Sequence, residues 1–141
     1  MSTSLYPFLE MNGNASEAID FYVTALDAKV VFMLRFADLP GNKGTELPPE
    51  KQNWITYASL KIGEAELTLS DDVTGSNYHT GTQVTIVVQT PDKNKAKQYF
   101  EALQEGGKVN VPLQPSFFSS AYGNVTDKFG VTFRVLLKGQ Q

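Results

Sequence analysis

Two stretches of this chain place apolar and polar residues in nearly the same order. ASEAIDFYVTALDAKV (15–30) and NKAKQYFEALQEGGKV (94–109) each carry an alanine, an aromatic pair, an Ala-Leu and a closing Lys-Val. In the first, Ala18, Phe21, Tyr22 and Ala25 fall three, four and seven apart, which makes one apolar helical face. In the second, Ala96, Tyr99, Phe100 and Leu103 repeat that spacing. A helix is therefore expected from about Asn14, with Glu17 at the spacing of a capping box. A second is expected from Thr90-Pro91-Asp92, with proline in its first turn, ending at Gly106-Gly107.

Shorter runs rich in aromatic and β-branched residues surround both helices and predict strands. They cover 5–11, 30–36, 54–62, 65–70, 83–89, 109–111, 119–125 and 131–137. Gly63-Glu64 is the turn of a hairpin, and 127–130 is a second tight turn. The proline-rich stretch 38–53 reads as a loop, and DDVTGSNYHTGT (71–82) joins two halves. The order strand, helix, three strands occurs twice. The expected fold class is α+β: two tandem βαβββ modules forming a curved mixed sheet with a concave cleft, helices on the outer face. The whole chain, 1–141, would be one domain, with module 1 at about 4–71 and module 2 at about 82–138. A ferredoxin-like βαββαβ unit is the rival and needs fewer strands.

Composition narrows the function. Apolar residues make up 41% of the 141, as in a folded globular protein. The net charge is −3 with acids and bases mixed, so no basic stripe suggests nucleic acid. No apolar run approaches a membrane span, and MSTSLYPF does not read as a secretory signal. The chain has no cysteine, which excludes thiol catalysis, disulfides and thiolate metal sites. A cytoplasmic location is expected.

The C-terminal stretch VPLQPSFFSSAYGNVTDKFGVTFRV (111–135) resembles the signature of the PhnB-like branch of the glyoxalase/bleomycin-resistance/dioxygenase (vicinal oxygen chelate) superfamily. NGNASEAIDFY (12–22), RFADLP (35–40), LKIGEAELTLSDD (60–72) and EALQEGGKV (101–109) resemble the same branch in the same order. The resemblance implies the paired βαβββ architecture and commonly a homodimer. The methyltransferase label that accompanies this branch finds no support in the residues. No glycine-rich strand-to-helix turn is present to hold an adenosyl cofactor.

Metal-using members of the superfamily resemble one another in presenting His, Glu or Gln from matching strands of the two halves. Here the first such position falls at about Tyr6 or Pro7 and the second near Gln83 to Thr85. The C-terminal one falls at Phe133 or Arg134, where an arginine would repel a cation. Glu66 or Asp71 could reach inward, and His79 stands alone in the sequence. A lone histidine cannot supply a facial triad, so neither a metal site nor a cofactor is expected. A weak carboxylate-only site stays open. Asp71-Asp72 and Asp127 read as caps and turn formers rather than as a proton-sharing pair or a base.

What remains is a cleft lined with aromatics. Strand alternation puts Tyr6, Phe8 and Glu10 on one face, with Leu9 and Met11 toward the helix. Phe8, Trp54, Phe118 and Tyr122 would supply apolar contact, Glu10 would lie near them, and Arg35 and Gln114 would orient a polar group. Residues 112–118 read as a rim or lid. The first reading is a homodimer binding a small, partly apolar organic molecule in its concave cleft, without a tightly held metal. A metal-dependent lyase, isomerase or dioxygenase is the second. An interaction module with its cleft filled by the dimer partner is the third.

Overall fold

The computed structural model describes residues 3–40, 46–73, 81, 83–116 and 119–138. The chain divides into two compact units, Met1–His79 and Thr80–Gln141. The first contains β1 (Phe8–Met11), α1 (Ala15–Leu26), β2 (Lys29–Arg35), α2 (Pro49–Gln52), β3 (Ile55–Ile62) and β4 (Ala65–Asp71). The second contains β5 (Ile86–Thr90), α3 (Lys93–Leu103), β6 (Lys108–Gln114), β7 (Tyr122–Thr126) and β8 (Thr132–Leu137).

Each unit holds one four-stranded mixed sheet, ordered β1-β4-β3-β2 in the first and β5-β8-β7-β6 in the second. In both, the first strand runs parallel to the last and the remaining pairs are antiparallel. The repeated phrases are thus a repeated topology, and the fold is α+β with tandem βαβββ modules.

The helical stripes explain why each helix lies on its own sheet. α1 buries Ala15, Ala18, Ile19, Tyr22, Ala25 and Leu26, and it packs against β3 and β4, where Leu60, Leu67 and Leu69 are buried. α3 buries Ala96, Phe100 and Leu103 in the same manner. Each large apolar side chain so buried stabilises the fold by about 1.5–3 kcal/mol. Gly123 is required by this packing, because a Cβ there would stand 2.4 Å from Phe100 Cε1.

Several elements depart from the expected boundaries. Asn14 precedes α1 but makes no side-chain cap. The cap comes from Asp71 at the end of β4, whose Oδ1 accepts from Gly13 N (2.8 Å) and Ala15 N (3.0 Å). The second helix is capped locally: Asp92 accepts from the amides of Asn94 and Lys95, so Pro91 lies outside α3 rather than in its first turn. β6 continues through Pro112 to Gln114, where a short strand ending at Val111 was expected. An edge strand accommodates proline because one side of it needs no ladder donor. The proline-rich loop also contains the single turn α2, which Pro49 opens. The Gly63-Glu64 hairpin and the 127–130 turn form as expected.

Candidate functional site

α1 packs on one face of the first sheet, and the register shows what the opposite face carries, with Ser59 and Thr68 buried at its centre and Phe8 and Phe32 half-exposed at its sides. Phe8 lies opposite Thr68, Thr68 opposite Ser59, and Ser59 opposite Phe32, a row across all four strands. Directly paired residues point to the same side, so this row shares one face. Glu10 and Tyr57 stand two residues from Phe8 and Ser59 and fall on that face too. So do Lys61 and its ladder partner Glu66. Tyr6, Phe8 and Phe32 are 46%, 48% and 49% exposed, while their neighbours Leu9, Met11, Ala58 and Leu60 turn toward the helix.

Three interactions organise this surface. The Ser59 hydroxyl donates a short hydrogen bond to Glu66 Oε2. The rings of Phe32 and Tyr57 meet at 5.9 Å, tilted by 49°. The Tyr57 phenol is held above its ordinary value of 10.0, first by loss of solvent, then by the nearby Tyr6 and the Glu66 carboxylate. Thr68 is occupied otherwise, donating from Oγ1 to the Pro7 carbonyl at 2.8 Å.

The second sheet's uncovered face has a different chemistry. Val87 pairs with Arg134 and Arg134 with Asn124; Gln89 pairs with Leu136 and Leu136 with Tyr122. The Arg134 guanidinium lies 5.4 Å from the Tyr122 ring centre. Asn110 Nδ2 donates to Asn124 Oδ1 and Thr126 Oγ1, both at 3.0 Å. On the helical side of this unit, a cavity of about 590 Å³ is lined by residues including Lys93, Lys97, Phe100, Leu113 and Gln114.

The residues singled out from the sequence fall into three local groups. Phe8 and Glu10 share the uncovered face of β1. Arg35 and Trp54 sit where β2 and β3 meet the loop. Arg35 Nη1 donates to the Asn53 carbonyl at 2.7 Å, and Phe36 N donates to the Trp54 carbonyl. The Trp54 indole covers Gly13, which has φ +91 and no room for a Cβ (2.6 Å from Trp54 Cζ2), with the Lys51 ammonium 5.2 Å from the ring. Gln114 and Tyr122 are ladder partners, and Gln114 also borders the cavity beside α3. Phe118 and His79 lie outside the described residues.

Phe32, Tyr57, Ser59 and Arg134 were not among the selected candidates, although each occupies an uncovered face. The signal for two of them was available: once the Gly63-Glu64 turn is fixed, alternation puts Tyr57 and Ser59 on one side with Glu66 and Thr68.

A match to the model of the Glyoxalase/Bleomycin resistance protein/Dioxygenase superfamily covers residues 10–135, and the chain belongs to that family. It is similar to protein YjdN of Escherichia coli, 28% identical with 97% of each chain covered. It is also similar to the crystal structure of protein PA1353 from Pseudomonas aeruginosa, 32% identical with a TM-score of 0.86, covering 99% of this chain and 100% of that one. A PhnB protein from Bacillus cereus shares the fold at 23% identity and a TM-score of 0.78, covering 95% and 98%.

Metal-dependent relatives raise the question of an ion. Among the described residues, no three His, Asp or Glu side chains gather in a way that could hold one. Asp71 and Asp127 are buried and bound to backbone: Asp127 Oδ1 accepts from Phe129 N (2.9 Å) and Val131 N (3.0 Å). Of the two C-terminal candidates, Phe133 is buried and Arg134 is the exposed one, so the side chain displayed there is a cation. Also among the described residues, no helix is long and apolar enough to cross a membrane.

Proposed function

We propose that this protein binds a small, partly apolar organic molecule on its uncovered sheet surface, as a PhnB-like member of the superfamily without a tightly held metal. The observation that carries this reading is the set of half-exposed aromatics, Tyr6, Phe8 and Phe32, standing beside Ser59 and Glu66 on one strand face. Apolar area with a few oriented polar groups is the usual make-up of a small-molecule site. The PhnB-like placement rests on the quoted sequence pieces, and the lack of cysteine fits a cytoplasmic setting. The test is a metabolite library read by melting temperature. Compounds that raise it should lose most of their effect on Phe8→Ala and Phe32→Ala. A library without a stabilising compound, or hits indifferent to both substitutions, overturns the reading.

One observation favours a second reading alongside the first. β2 is a sheet edge, and its four consecutive apolar residues Val30 to Met33 are 46%, 64%, 49% and 42% exposed. An apolar edge of that length is a template for pairing, and we propose that a second copy of the chain covers it in a homodimer. Sedimentation equilibrium should give a dimer that Val31→Lys converts to monomer. A wild-type monomer at tens of micromolar rules this out.

A further inference from the structure

We propose that the uncovered face of the first sheet is selective for small organic cations, with Glu66 as the counter-charge and Phe32 and Tyr57 as the ring surfaces. The inference rests on the binding reading above and names the ligand class that site would take.

The argument starts from what Glu66 does. It is exposed, it lies on a strand face rather than at a turn, and its carboxylate is held by the Ser59 hydroxyl. That bond fixes one oxygen and leaves lone pairs for an incoming donor or cation. Glu10 adds a second carboxylate to the face, two residues from Phe8. The rings supply the second half of the recognition. Phe32 and Tyr57 meet at 5.9 Å with a 49° tilt, an angled pair presenting π-faces rather than a flat stack. Tyr6 and Glu66 both act on the Tyr57 phenol, which places the three groups within electrostatic reach of one another. An ammonium beside such rings is attracted by their quadrupoles, and a carboxylate beside them adds a full charge.

Two lysines share the face, Lys61 as the ladder partner of Glu66 and Lys29 as the ladder partner of Lys61. They compete with a ligand for Glu66, so the selectivity rests on Glu66 and the rings together rather than on the net charge of the face. Both are solvent-exposed and strongly hydrated, whereas a methylated ammonium has a weakly hydrated, greasy charge suited to ring faces.

The test uses the full chain and three soluble probes of one shape: choline, its neutral isostere neohexyl alcohol, and the anion tert-butylacetate. Binding is read by NMR titration of backbone amides on β2 and β3. Choline should bind at least about tenfold tighter than neohexyl alcohol, and tert-butylacetate should be weakest. Glu66→Gln keeps an acceptor for Ser59 and should reduce the choline preference to near unity without changing neohexyl alcohol affinity. A merely structural Glu66 would weaken all three probes alike. Lys61→Ala should strengthen choline binding. Equal affinity for choline and neohexyl alcohol, or a preference for the anion, overturns the cation site while leaving the binding reading intact. If no probe shifts the amides while library compounds still stabilise the protein, the cation site alone is lost. If the library also fails, both are lost.

Discussion

Asp71 reaches three backbone donors from one side chain: Gly13 and Ala15 through Oδ1, and Ile55 through Oδ2 at 3.0 Å. It is buried, so each donor would be left without water if the carboxylate were removed. Asp71→Ala should cost about 2–4 kcal/mol, seen as a lower urea midpoint at unchanged slope. Asp71→Asn should also destabilise, because its amide NH₂ must face one of these donors. The role of Asp71 as a cap was legible from its type and its place at a strand end. Which helix it caps was not, because 56 positions separate it from Ala15. Tyr57 offers a titration. A raised phenol favours the neutral form, so its contribution to stability is complete below the ordinary value of 10.0 and is lost as pH rises through the higher folded value. Ultraviolet titration compared with Tyr57→Phe should show that the Tyr57 phenol ionises late. Glu66→Gln should bring it down, because a neighbouring negative charge no longer opposes the phenolate.

The helices and strands carry predictions of their own. Gly123 permits α3 to lie close on β7, and Gly123→Ala drives a methyl into the Phe100 ring. The expected loss is about 1–3 kcal/mol, partly recovered in the double variant Gly123→Ala/Phe100→Leu, as a double-mutant cycle by urea unfolding would show. Both helices were legible because their stripes are strictly periodic and their aromatic pairs repeat. β6 was read too short: proline punctuates a sequence, but at a sheet edge it does not end a strand. α2 is a single turn inside a loop of prolines, too short to leave a periodic signal. The cap at Asn14 was misplaced for a related reason. Ser, Asn and Asp compete for the same amides, and here a buried carboxylate from another strand supplies the bond in place of Asn14.

Across the molecule, the same topology occurs twice with different chemistry on the uncovered faces. The first displays aromatics with Glu10 and Glu66; the second displays Arg134, Asn124 and Tyr122. A ligand held by the folded chain should stabilise it by about 2.7 kcal/mol at a hundred times its dissociation constant, and calorimetry across ligand concentrations checks this dependence. The repeated element order and the α+β class were legible in the sequence because short-range periodicity and turn residues encode them, whereas the superfamily was legible only through the resemblance of stretches such as 111–135 to its PhnB-like branch. Phe8 and Glu10 on one face and Leu9 and Met11 on the other followed from alternation alone. The partnership of Glu66 with Ser59, the covering of Gly13 by Trp54 and the emergence of Arg134 rather than Phe133 at the surface were decided only by the tertiary structure. These depend on register and on side-chain reach across strands, which no local spacing rule contains, since a shift of one residue would exchange every face.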